Sequence, residues 1–167
     1  MDNFNLKKYL VENKVTRNSQ MLNEAKTYTI DVNTADTDLE DSFEVYQDTV
    51  NDYLTLPVPD LQESGVNFEA LAALVGKYGT LLFEVETVGL DPSVDGIESF
   101  YQVKDRNILS EIAKIYAESE ELYELSDEIQ QGNYTGFVVV TYDYIDEPVV
   151  VPLNSGFQEI ENQIPTP

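Results

Sequence analysis

From residue 26 onward, apolar positions alternate between a period of two and a period near 3.6, and the switches mark the elements. KTYTIDV, residues 26 to 32, sets Tyr28, Ile30 and Val32 on one face against Thr27, Thr29 and Asp31, a strand pattern. NTADTDLED follows, with Thr37 and Glu40 in a capping-box arrangement, and then a helix whose stripe is Leu39, Phe43, Tyr46, Val50, Tyr53 and Leu54. Its other faces carry Asp38, Glu40, Asp41, Glu44, Asp48 and Asp52, and Pro57 and Pro59 end it. LPVPDLQESG reads as a linker to a second helix, capped by Asn67, with Phe68, Leu71, Leu74 and Val75 inward and Gly79 as its stop.

TLLFEVETV, residues 80 to 88, is a strand with one apolar and one partly charged face. GLDPSVDGIESFYQV is a turn-rich loop closing in a short strand at Phe100 to Val103. The longest helix is expected from its cap Asp105 to Gln131, stopping at Gly132-Asn133. Its stripe, Ile108, Ile112, Ile115, Leu122 and Ile129, passes through Ser119 and Ser126, which predicts a bend or break near Ser119 or a loosely packed second half. YTGFVVVTYDYI is the strongest strand, and VVVPL returns as its hairpin partner, with Pro152 placing that second strand at an edge. The tail NSGFQEIENQIPTP, polar with two late prolines, is expected to fray.

These elements predict an α+β fold: a mainly antiparallel sheet of about four strands packed with about three helices, preceded by an N-terminal arm helix. The expected organisation is a basic arm over 1–25, an acidic domain over 26–154 and a polar tail over 155–167.

Charge separates the arm from the rest. Five of the nine Lys and Arg lie in the first 26 residues, against three acids, a balance of +2; the remainder holds four basic and 29 acidic residues, −25. In the arm, Phe4, Leu6, Tyr9 and Leu10 fall near helical spacing, with Lys7, Lys8 and Glu12 on the other side. About ten such residues are marginal in water, so this helix is expected to form on docking.

FNLKKYLVENK resembles the N-terminal leaders of pattern F-D-L-K-K-Y/F-L-x-E-N-K on small proteins of marine tailed phages. It is also similar to the capsid-targeting leaders of large myophages. That resemblance implies a segment that brings a protein into the prohead, with prohead-protease cleavage after a Leu-x-Glu triplet. Leu10-Val11-Glu12 and Leu22-Asn23-Glu24 supply two such triplets, so Glu12 and Glu24 are the implied cleavage positions. The resemblance covers about the first 24 residues.

The chain has no Cys and no His, which removes disulfides, thiolate chemistry, a Ser-His-Asp triad and the commonest metal ligands. No apolar run reaches the roughly 18 residues of a membrane span, and the leader lacks a secretory signal's apolar core. A net charge of −23 disfavours direct contact with nucleic acid or anionic membranes and favours basic surfaces. Calcium-loop registers starting at Asp31 or Asp36 fail at the glycine and bidentate-glutamate positions, and no glycine-rich phosphate loop is present.

With 32 acids, carboxylate pairs arise by chance, and no Asp or Glu has a sequence context that marks a raised pKa. No catalytic, cofactor or metal residue is therefore assigned. The candidate functional residues are the docking set Phe4, Leu6, Lys7, Lys8, Tyr9 and Leu10 and the acidic helix surface Glu111, Glu118, Glu121, Glu124, Asp127 and Glu128. Tyr46, Tyr53, Tyr116 and Tyr123 recur at helical spacing and Tyr142 and Tyr144 share a strand face, as core or as a protein-binding surface.

Two function classes follow. One is a non-enzymatic phage virion protein, in the particle or the host cytoplasm, that meets a basic coat or core protein. The other is a mimic of DNA charge that blocks a host DNA-binding or restriction enzyme.

Overall fold

The computed structural model describes residues 25–34, 37–89, 95–143 and 147–165. The leader, with the arm helix expected there, lies outside them. Five strands form one mixed sheet in sequence order: β1 Lys26–Asp31, β2 Thr80–Val88, β3 Gly96–Gln102, β4 Gly136–Tyr142 and β5 Val149–Leu153. β1 runs parallel to β2, and the other three pairings are antiparallel. Among the described residues six helices accompany them: α1 Thr37–Tyr53, α2 Val58–Glu63, α3 Phe68–Tyr78, α4 Arg106–Tyr116, α5 Tyr123–Gln131 and α6 Phe157–Gln163. The fold class is α+β as expected, with five strands in place of about four and six helices in place of about three.

Each extra element has a local cause. Pro57 and Pro59, expected to end α1, instead open a new helix: Pro57 is the cap of α2, and Pro59 sits in its first turn, where a missing N–H costs nothing. α1 stops at Tyr53, ahead of the prolines, because Leu54 leaves it to bridge Leu153 and Thr55 N–H donates to the Pro152 carbonyl at 3.2 Å. β3 begins at Gly96 rather than near Phe100, taking up the last four residues of the expected loop.

The expected fraying of the C-terminal tail does not occur over Phe157–Gln163. Phe157 packs against the core and Ile160 and Ile164 are buried in it, an apolar stripe hidden among polar neighbours. Gly79 does cap α3, but in extended geometry (φ −80°, ψ 160°). A side chain is excluded there because a Cβ stands 2.5 Å from the Val75 carbonyl, not because the turn is left-handed.

The sheet separates two environments. One face carries Phe83, Val85, Phe100, Val138 and Val140, all buried, with Phe83 and Phe100 stacked at 4.5 Å. α1 lies on this face, bringing Phe43, Tyr46 and Val50 into the core, and α6 packs beside α1. The alternate residues Glu84, Glu86, Ser99 and Val139 remain half-exposed. α2 and α3 gather at β5, which is buried along its whole length.

β5 is a terminal strand, as Pro152 indicated, and its outer carbonyls are covered. Tyr116 donates to the Val150 carbonyl at 2.7 Å, and the Thr55 hydroxyl donates to that of Pro152. Covering this edge removes a template for uncontrolled strand pairing.

Candidate functional site

The expected single helix from 105 to 131 is a helical hairpin. Asp105 caps α4, accepting from Asn107 N–H at 2.8 Å, and the helix ends at Tyr116. Ser119, buried, begins a 3-10 turn over Glu120–Leu122, and α5 then runs to Gly132, whose φ of 84° is the left-handed stop that favours glycine. Ser126, which breaks the apolar stripe, is buried and donates to the Ala113 carbonyl at 2.6 Å. It is a second donor to that carbonyl, which already accepts from Ala117 N–H at 2.9 Å where α4 ends, and so ties α5 to the last turn of α4. The two serines thus mark the fold-back. The buried register is Leu109, Ile112, Ala113 and Tyr116 followed by Leu122, Leu125 and Ile129, so Ile108 and Ile115 stand half-buried at its border.

The hairpin turns its carboxylates outward. Glu111, Glu118, Glu121, Glu124, Asp127 and Glu128 are all exposed, as is Glu120. The segment from Arg106 to Gln131 contains seven acids and two cations, a balance of −5, and both cations are engaged. Lys114 pairs with Glu111 at 2.7 Å, and Arg106 donates to the Gln131 carbonyl at 3.1 Å, closing the end of α5. Tyr123 projects from the same surface, 67% exposed, between Glu120, Glu121, Glu124 and Asp127.

α1 is a second acidic surface. Asp38, Glu40, Asp41, Glu44, Asp48 and Asp52 are exposed, and its 17 residues hold no cation. At ~1.5 Å rise per residue this is roughly one charge every 4 Å of helix axis.

The tyrosines divide by environment. Tyr46 and Tyr116 are fully buried, Tyr53 and Tyr142 half-buried and Tyr123 exposed, while Tyr144 lies outside the described residues. So do the leader residues Phe4, Leu6, Lys7, Lys8, Tyr9, Leu10, Glu12 and Glu24.

One carboxyl departs from the expectation that none is perturbed. Glu98, on β3, shares strand parity with Phe100 and so faces inward beneath α1, where Tyr46 donates to its Oε1 at 3.2 Å. Burial pushes its carboxyl up to about 7; the Tyr46 hydrogen bond, which favours the charged form, opposes the rise. Tyr46 in turn is held well above the usual phenol range, first by burial and then by the Glu98 charge. The sequence signal was the parity of Glu98 with Phe100, legible only once β3 is extended back to Gly96.

Among the described residues no group of three or more carboxylates is placed to hold a metal ion, and no helix is long and apolar enough to cross a membrane. Comparison with protein-family models, with curated proteins and with solved structures gives no match.

Proposed function

We propose that this is a non-enzymatic phage virion-associated protein: its basic leader docks on a particle protein, and its acidic α+β body meets a partner with a basic surface. The observation that supports this most is the outward face of the α4–α5 hairpin, which carries seven exposed carboxylates and the exposed Tyr123, with both local cations already engaged. Such a face attracts lysine- and arginine-rich surfaces over a range of about 10 Å at ordinary ionic strength. An exposed tyrosine among these acids in the sequence supplies the aromatic contact area in which protein interfaces are enriched. The leader's resemblance to phage leaders supports the site of action, in the virion or the host cytoplasm.

The test is mass spectrometry of purified particles carrying either the full chain or a chain lacking residues 1 to 24. The full chain is expected in the particles and the shortened chain in the soluble fraction, still folded. Equal recovery of both in particles removes the leader's proposed role.

A second reading, mimicry of DNA, has one specific support. The spacing of roughly 4 Å per charge along α1 approaches the ~3.4 Å per phosphate of one strand of duplex DNA. On that reading the body alone inhibits a restriction enzyme or nuclease in a manner that weakens with salt, with or without the leader. Absence of inhibition at low salt rejects it.

A further inference from the structure

Glu98 sits in the middle strand of the sheet, and its cross-strand neighbours on the buried face are Val85 of β2 and Val140 of β4. Tyr46 of α1 caps it from above, its hydroxyl donating to Oε1 at 3.2 Å. Tyr142 of β4 is a further titratable group in this cluster, adding to the upward shift of Tyr46. Tyr28 of β1 lies in the same cross-strand row beyond Val85, but its hydroxyl is committed to Glu161 of α6 at 2.7 Å. Among the described residues no Lys or Arg pairs with Glu98. A carboxyl in apolar surroundings with one neutral donor is stable when protonated and costly when charged. Glu98 keeps partial exposure even though its carboxyl is densely surrounded, so a proton can exchange with solvent.

β3 cannot yield to relieve that cost, because hydrogen-bond ladders to β2 and β4 pin it on both sides. α1 can. Along most of its length it is held on this face by side chains, Phe43, Tyr46 and Val50 in the core and contacts with α6; its C-terminal end is tied by backbone, Asn154 N–H donating to the Tyr53 carbonyl at 3.0 Å, so the N-terminal turns around Tyr46 are the part free to loosen.

We propose that Glu98 is a proton-operated latch: the neutral carboxyl lets α1 seat on the sheet, and its deprotonation loosens α1 so that water reaches the charge. The latch works in the neutral range, above the ordinary carboxylate range of about 4. Loosening α1 also frees the helix that carries six exposed carboxylates, so the body's acidic surface becomes proton-sensitive.

The experiment is hydrogen exchange by mass spectrometry on the full chain and on Glu98→Gln, between pH 6 and pH 8. Amides of α4 serve as an internal reference for the intrinsic pH effect. For a carboxyl passing from about 7 when α1 is seated to an ordinary value when it is loose, opening of α1 relative to α4 rises about tenfold across that range. Glu98→Gln is expected to hold α1 protection constant relative to α4. Tyr46→Phe removes the donor that favours the charged form and is expected to move the midpoint of the loss to higher pH. Identical α1 behaviour in the wild type and Glu98→Gln overturns the proposal. So does parallel loss of protection in α1 and α4, or a midpoint that Tyr46→Phe leaves in place or lowers.

Discussion

Glu84 and Glu98 occupy adjacent strands of one sheet and have opposite fates. Glu84, on the half-exposed face of β2, accepts from Ser99 Oγ at 3.1 Å and stays near water. Glu98, one register step away on β3, points to the other face, beneath α1, and its carboxyl is held up near 7. Both residues are half-exposed, but the carboxyl lies on the open face in one and is enclosed beneath a helix in the other, and a shift of one residue along a strand decides which. The contrast extends outward: the carboxylates of α1 and of the α4–α5 hairpin can shape recognition because the fold spends nothing on desolvating them, whereas Glu98 shapes stability because the fold does.

The largest expected effect comes from removing the cover over the inner acid. Tyr46→Ala deletes a fully buried ring and its hydroxyl, and is expected to lose about 3–5 kcal/mol of unfolding free energy in denaturant melts, while Tyr46→Phe loses about 1 kcal/mol.

Next in size is the inner acid itself. Because its value in the folded protein lies above that of the unfolded chain, wild-type stability from this group is full below about pH 4.5. It declines as pH rises toward about 7, and is flat above that. Glu98→Gln is therefore expected to gain up to about 3 kcal/mol over the wild type at pH 8, with little difference at pH 4.5, in melts at the two pH values. A pH-independent difference breaks the contrast between the two glutamates.

Ser126→Ala removes the hydroxyl that ties α5 to the Ala113 carbonyl, while Ala117 N–H still donates there, and is expected to cost about 1 kcal/mol, sharpening the claim that this serine holds the hairpin closed. Smallest for stability is the outer set. Glu121→Gln with Glu124→Gln is expected to change unfolding free energy by no more than about 0.5 kcal/mol, yet to weaken binding to a basic peptide and flatten its salt dependence.

The parts of this arrangement that could be read from the sequence are those set by strong local patterns. The β-branched run in β4 and β5 fixed the hairpin, Asn67 and Asp105 cap their helices as expected, and the exposed acids of the hairpin followed from the helix period. What could not be read depends on tertiary partners. The break near Ser119 is legible only as one of two choices, because the contact that holds the fold-back, the Ser126 hydroxyl on a carbonyl 13 residues back, needs the folded hairpin. α6 is not legible in the sequence because Phe157, Ile160 and Ile164 gain meaning only against α1 and β4; the Phe157 ring fits where Gly136 leaves space. Glu98 was missed because an acid in a turn-rich stretch reads as solvated until the strand register turns it inward.

The contrast between inner and outer acids is tested most directly by following the side-chain carboxyl carbon of Glu98 by NMR from pH 4 to pH 9, assigned through Glu98→Gln. The predicted result is a titration centred near 7, with the ring signals of Tyr46 moving in step. A carboxyl already fully ionised at pH 6, with Tyr46 unchanged, contradicts the account.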